Sequence, residues 1–137
     1  MQGSSELSDL MHRYWQAFST GDVEFVEAHL STTEAIFGFG TDPDEAYEGS
    51  QVHRVFREQL AAAGGSVTIV PGEVRAYVEG SVGWVSDNPT FHLPDGVRIP
   101  ARFTAVAHRE DGDWKLVQAH TSVGVPNEQL LHMALPT

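Results

Sequence analysis

Two adjacent glycines, Gly64-Gly65, separate stretches of chain whose apolar residues repeat with different periods, and this switch constrains the fold more than any other feature. Before the pair the period is helical. From Ser5 to Thr20, the residues Leu7, Leu10, Met11, Tyr14, Trp15 and Phe18 fall on one broad apolar face, with Ser4 or Ser5 as N-cap and Gly21 as the stop. Asp22 is a suitable N-cap for a short second helix that turns Val23, Val26 and Leu30 inward, with Phe25 beside them. Ala35 to Gly40 reads as a short strand carrying Ile36, Phe37 and Phe39, and Thr41-Asp42-Pro43-Asp44 follows it as a turn. Ser50 opens a third helix with Val52, Val55, Phe56, Gln59 or Leu60, and Ala63 on its buried side, which the glycine pair ends.

Beyond the pair the period becomes that of strands. Val67–Val78, Ser81–Leu93, Val97–Arg109 and Asp113–Val123 are four strand-like runs, joined by Glu79-Gly80, Pro94-Asp95-Gly96 and Glu110-Asp111-Gly112. Connections this short make an antiparallel meander, and Pro71-Gly72 and Pro89 read as bulge or edge positions that help a long sheet curl. The expected class is α+β: three N-terminal helices packed on a strongly curved antiparallel sheet. A chain of 137 residues suits a single domain spanning 1–137.

Composition excludes several partners. Eight Lys and Arg stand against 19 Asp and Glu, and a net charge of -11 repels phosphate backbones and anionic membranes, so neither nucleic acid nor membrane is expected. Cysteine is absent, which removes thiolate nucleophiles and disulfides. There is no basic-then-apolar start and no apolar run near the roughly 20 residues of a membrane helix, so a soluble, cytoplasmic protein is expected. There is no GxSxG elbow for nucleophilic catalysis; with neither a phosphate loop nor a dinucleotide fingerprint, no cofactor is expected, and with no HxH or HxxxH pair, no metal.

The last strand carries the candidate chemistry. Strict alternation puts Trp114, Leu116, Gln118, His120 and Ser122 on one face, and Lys115, Val117, Ala119, Thr121 and Val123 on the other. A face that begins apolar and ends polar is either the wall of a cavity or a strand end entering solvent. On the cavity reading His120 is the candidate acid/base, because imidazole titrates near neutral pH, and Gln118 stands beside it as a ligand contact. Trp84 shows a similar gradient with Ser86 and Asn88, so Trp15, Phe18 and Phe56 are expected as the roof of the cavity, Trp84 and His120 as its wall, and Phe39 as a further aromatic contact. Arg102 either lies buried, paired with Asp87 or an anionic ligand, or sits on the outer face of the sheet. The Val117, Ala119, Thr121 and Val123 stripe suits an outer face that makes a homodimer.

The order of elements, with GFGTDPDEAYEGSQVHRVFREQL (Gly38–Leu60) and HREDGDWKLVQAHTS (His108–Ser122), resembles the SnoaL-like, or nuclear transport factor 2-like, superfamily. Both segments look like its branch containing the association domain of calcium/calmodulin-dependent kinase II. The resemblance implies a cystatin-like cone enclosing a pocket between helices and sheet. HRYWQAFSTGD (His12–Asp22) resembles the first helix of ketosteroid isomerases, where Tyr14 matches the tyrosine that donates to the oxyanion. The base position of those enzymes holds Gly38 and Phe39 here, leaving Asp42 in the next turn as substitute, and Val97–Arg109 supplies no second acid. The kinase-associated branch implies an arginine-lined pocket for a small carboxylate, but its positions hold Ser86 and Ala105, with Arg75, Arg98 and Arg102 nearby.

Two functions are therefore expected. One is a small-molecule-binding protein with an aromatic-lined pocket, acting if enzymatic as a cofactor-independent lyase or isomerase of isomerase, dehydratase or cyclase type. There His120 or Asp42 moves a proton while Tyr14, Gln118 or Arg102 orients a mostly apolar ligand with a polar or anionic group. The other is a non-catalytic dimerisation, assembly or carrier module of the same fold.

Overall fold

The helices form where apolar period and caps coincide. In the computed structural model, which describes residues 1–137, α1 spans Ser5–Thr20 and its Ser4 hydroxyl accepts the Leu7 N–H at 3.1 Å. The α1 face that includes Leu7, Leu10, Met11, Tyr14, Trp15 and Ala17 is buried, each large side chain contributing about 1.5–3 kcal/mol. Gly21 ends α1, and the Asp22 carboxylate caps α2, Val23–Ala28, through the Phe25 N–H at 3.1 Å. The third helix, α3, covers Ser50–Ala63 and stops at Gly64, with Val52 and Leu60 buried and Phe56 half-buried. No helix is long and apolar enough to cross a membrane.

The strands depart from the expected four runs. In chain order they are β1 (Gln2–Gly3), β2 (Phe37–Phe39), β3 (Ala46–Glu48), β4 (Thr68–Val70), β5 (Arg75–Glu79), β6 (Val82–Asp87), β7 (Thr90–His92), β8 (Arg98–Pro100), β9 (Arg102–Glu110) and β10 (Asp113–Ser122). A short helix, α4 (Asn127–Leu130), follows. The seven-stranded sheet runs β1-β5-β6-β9-β10-β2-β3, and a three-stranded sheet runs β4-β7-β8. Each of the first three long runs is thus broken in two, one half in each sheet.

The breaks coincide in space, and this makes a crease. A Cβ at Gly72 would lie 2.3 Å from the Asn88 carbonyl oxygen, so only glycine permits the two backbones to approach this closely. The Ala101 N–H donates to the Pro89 carbonyl at 2.8 Å, joining the second break to the third. Asp87, only 3% exposed, then ties the crease to α1: its carboxylate accepts the Gly72 N–H at 3.0 Å and the Trp15 indole N–H at 3.0 Å. A carboxylate that accepts from both the buried Trp15 indole and the Gly72 backbone is a strong arrangement, and losing it leaves both donors unpaired. Asp87 is therefore a structural anchor for Trp15 and not the partner of Arg102.

A second departure lies inside β10. Its register against β9 jumps between Leu116 and Gln118, leaving Val117 as the extra residue of a β-bulge. The Leu116 backbone is held on its other side by the chain after α2, donating to the His29 carbonyl and accepting from the Ser31 N–H, both at 2.8 Å. Two residues later the strand pairs in parallel with β2, from Gln118 to His120. One extra residue reverses the alternation. Trp114 and Leu116 face the core, but beyond the bulge Ala119 and Thr121 turn inward and His120 is exposed.

Candidate functional site

The reversed end of β10 forms one wall of a cavity of about 290 Å³ between α1, α3 and the concave side of the sheet. α1 presents Tyr14, Trp15 and Phe18; α3 presents Val52, Phe56, Gln59 and Leu60; β10 contributes Ala119 and Thr121. Helical spacing from residue 14 to 18 brings Tyr14 and Phe18 to the same side, with ring centroids 5.2 Å apart. Phe18 meets Phe56 edge-on at 5.8 Å, and Trp15, held by Asp87, meets Phe103 of β9 edge-on at 4.6 Å. These are favourable aromatic geometries and they fix the inner wall.

Polar groups are few. Of twenty lining residues fourteen are hydrophobic, and Glu45 is the only one with a formal charge, so an occupant is held mainly by apolar contact. Tyr14 is 2% exposed, and burial alone pushes its phenol far above the ordinary tyrosine range, with no hydrogen bond offsetting that cost. It is a neutral donor within an apolar wall.

The mouth is built by the β2–β3 connection. There Gly40 donates its N–H to the Glu45 carbonyl at 2.9 Å, and the Glu45 carboxylate accepts the Asp42 N–H at 3.3 Å and the Gln59 amide at 3.2 Å. A Cβ on Gly40 would overlap that carboxylate at 1.9 Å, so the missing side chain lets Glu45 lie across the turn. Tyr47 of β3 stands beside it. Partial desolvation, then the carboxylates of Glu45, Asp42 and Asp44, raise its phenol above the usual value.

The sequence of this chain matches the SnoaL-like domain model over residues 7–126. The chain belongs to the SnoaL-like domain family. No curated protein sequence matches it. Among solved structures, a nuclear transport factor 2-like protein of unknown function from Pseudomonas putida superposes with a TM-score of 0.80 at 19% identity, over 96% of this chain and 92% of that one. A proposed dehydratase of the same family from Streptomyces avermitilis gives 0.75 at 16% identity, over 88% and 95%. A proposed calcium/calmodulin-dependent kinase II association domain from Xanthomonas campestris gives 0.67 at 18% identity, over 87% and 86%. Identities this low establish the shared cystatin-like fold, and activity has to be argued from the site.

Within this SnoaL-like cone, Tyr14, Trp15, Phe18 and Phe56 border the cavity. Phe39 also borders it, but its ring packs on the far side of the sheet with Phe37 at 6.0 Å and His120 at 5.5 Å. The expected shared face of Trp114, Leu116, Gln118, His120 and Ser122 does not exist, because the Val117 bulge intervenes. Gln118 and His120 thus leave the cavity for the outer face, and Ala119 and Thr121 leave the expected outer stripe for the cavity. Trp84 is outside too, stacked on Tyr77 at 6.1 Å, while its neighbours Val85 and Asp87 point inward. Arg102 is exposed opposite Ser122 at the edge of that outer face.

Asp42 does not line the cavity. Its carboxylate accepts the Asp44 N–H at 2.9 Å and shapes the turn from which Glu45 reaches the mouth. Thr41, Glu45, Tyr47 and Thr121 are the polar cavity residues that sequence reasoning missed. A hairpin reading of Gly38 to Glu48 would have returned residue 45 opposite Gly40, but β3 has only three residues and no β-branched side chain to signal it.

Proposed function

We propose that this SnoaL-like protein binds a small, mostly apolar molecule carrying one polar group. The observation that carries the reading is the neutral Tyr14 phenol in the wall of a mostly apolar cavity whose one carboxylate, Glu45, stands at the mouth. A ligand with a hydrogen-bonding group gains a partner in that phenol in addition to the apolar contact of the walls. Native mass spectrometry of protein purified from its source, paired with thermal shift against phenylbutanol, tests it. Expected are a retained small molecule or a clear stabilisation, reduced in Tyr14→Phe; an empty protein indifferent to the alcohol contradicts it.

The same two groups favour a second, catalytic reading. Glu45 is the one carboxylate at the cavity and Tyr14 a donor for a developing oxyanion, the pair that a cofactor-independent lyase or isomerase requires. His120 and Asp42 have no such position. Loss of turnover in both Glu45→Gln and Tyr14→Phe, with His120→Ala active, is the pattern this reading predicts once a substrate is found.

For assembly, we propose a homodimer through the outer sheet face. Cross-strand rows there set Tyr77, Trp84, Val106, Gln118 and Phe37 side by side, and next to them Ser86, Thr104, His120 and Phe39. Phe37, Phe39 and Tyr77 are 42%, 47% and 40% exposed on this face, and large apolar groups left open to water favour a covering partner. Sedimentation should give a dimer that Phe39→Lys converts to monomer; a wild-type monomer at all concentrations would refute it.

A further inference from the structure

The charge of the ligand is legible in the cavity. No Lys, Arg or His is among its lining residues, and Glu45 carries the only formal charge there. Asp42 and Asp44 extend the negative potential along the same turn, on a chain whose net charge is -11. Arg54 on α3 stands within electrostatic reach of Tyr47 but faces Glu58 at 3.9 Å and does not line the cavity. Arg102, the residue best suited by sequence to hold an anion, lies on the opposite face of the sheet.

We propose that the cavity selects an organic cation, an amine with an apolar body, whose ammonium sits at Glu45 and whose body lies among Phe18, Phe56 and Phe103. The inference rests on the small-molecule-binding reading and adds the charge to it. An anionic ligand entering this site would be stripped of water beside a carboxylate and with no cation to pair it, so desolvation and repulsion act together against it. A cation gains twice. The contacts Glu45 makes with the Asp42 N–H and Gln59 are long, and each oxygen keeps a lone pair for an ammonium, while aromatic walls attract positive charge through their ring faces. The Tyr14 hydroxyl in the same wall can accept a hydrogen bond from an ammonium, which has no lone pair with which to accept one in return.

Isothermal titration calorimetry with phenylbutylamine, phenylbutanol and phenylbutanoate, which share one body and differ in charge, tests the inference on wild type and Glu45→Gln. The amine should bind about tenfold more tightly than the alcohol, and the carboxylate weakest of the three. Glu45→Gln should bring the amine-over-alcohol ratio from about tenfold to about one, and a thermal melt close to that of wild type shows that the variant is folded. Binding of the alcohol with an equal or weaker amine, or an amine preference that survives Glu45→Gln, overturns the charge assignment and leaves the binding reading standing. Binding of none of the three overturns both.

Discussion

The two faces of β10 and its neighbours are built from alternate residues of the same strands, yet one closes on a cavity and the other on nothing. Inside are Phe103, Ala119 and Thr121, small or apolar groups under the aromatic residues of α1 and α3. Outside are Trp84, Gln118, His120 and Phe39, the mixed polar and aromatic set that most suggests chemistry in the sequence. The lesson is one of phase. Residue type alone assigns the interesting histidine to the site, and a single inserted residue, Val117, assigns it to the surface.

Deleting Val117 is the severest way to break the comparison. It would drive Gln118 and His120 into the cavity and Ala119 and Thr121 out, or tear β10 from β2, and either outcome should abolish cooperative unfolding near the wild-type temperature in a calorimetric scan. Asp87→Ala comes next. It leaves the buried Trp15 indole and Gly72 N–H without an acceptor and should cost about 3 kcal/mol in chemical denaturation.

Tyr14→Phe has a smaller effect on the inner face alone: phenylbutanol affinity should fall by about 1 kcal/mol, read by calorimetry, with folded stability near neutral pH preserved. The same variant changes the alkaline limb. Because burial raises the Tyr14 phenol above its unfolded value, the folded state holds that proton more strongly. Stability is therefore unaffected below the ordinary tyrosine pKa, about 10, and declines as pH climbs above it. Tyr14→Phe should flatten this decline in denaturation measured across alkaline pH. Smallest of all is Trp84→Ala, which should leave phenylbutanol affinity within twofold, roughly the scatter expected for a site it does not touch; under the proposed dimer its effect should appear in sedimentation instead.

Much of the scaffold was legible because its signals are local. Ser4, Gly21, Asp22 and Gly64 mark helix ends by capping chemistry, and the α1 stripe from Leu7 to Trp15 faces the core as its period requires. The α+β class followed from the change of period. What was not legible depends on contacts between distant residues. Pro71 and Pro89 announced irregularity, but that the breaks align into a crease depends on the Gly72 and Asn88 backbones meeting and on Asp87 reaching Trp15. The Val117 bulge lacks even that warning, since no glycine or proline accompanies it; it arises where β10 passes from its contacts after α2 to its pairing with β2. Glu45 was hidden by the shortness of β3, and Asp42, its neighbour in the turn, drew the attention instead.

The central claim is that the inner face, not the face bearing His120, receives the ligand. Nuclear Overhauser contacts between phenylbutylamine and assigned side chains test it directly. The account predicts contacts to the Ala119 and Thr121 methyl groups and the Phe56 ring, and none to the His120 imidazole or the Trp84 indole. Contacts to His120 or Trp84 without any to Ala119 and Thr121 would contradict it.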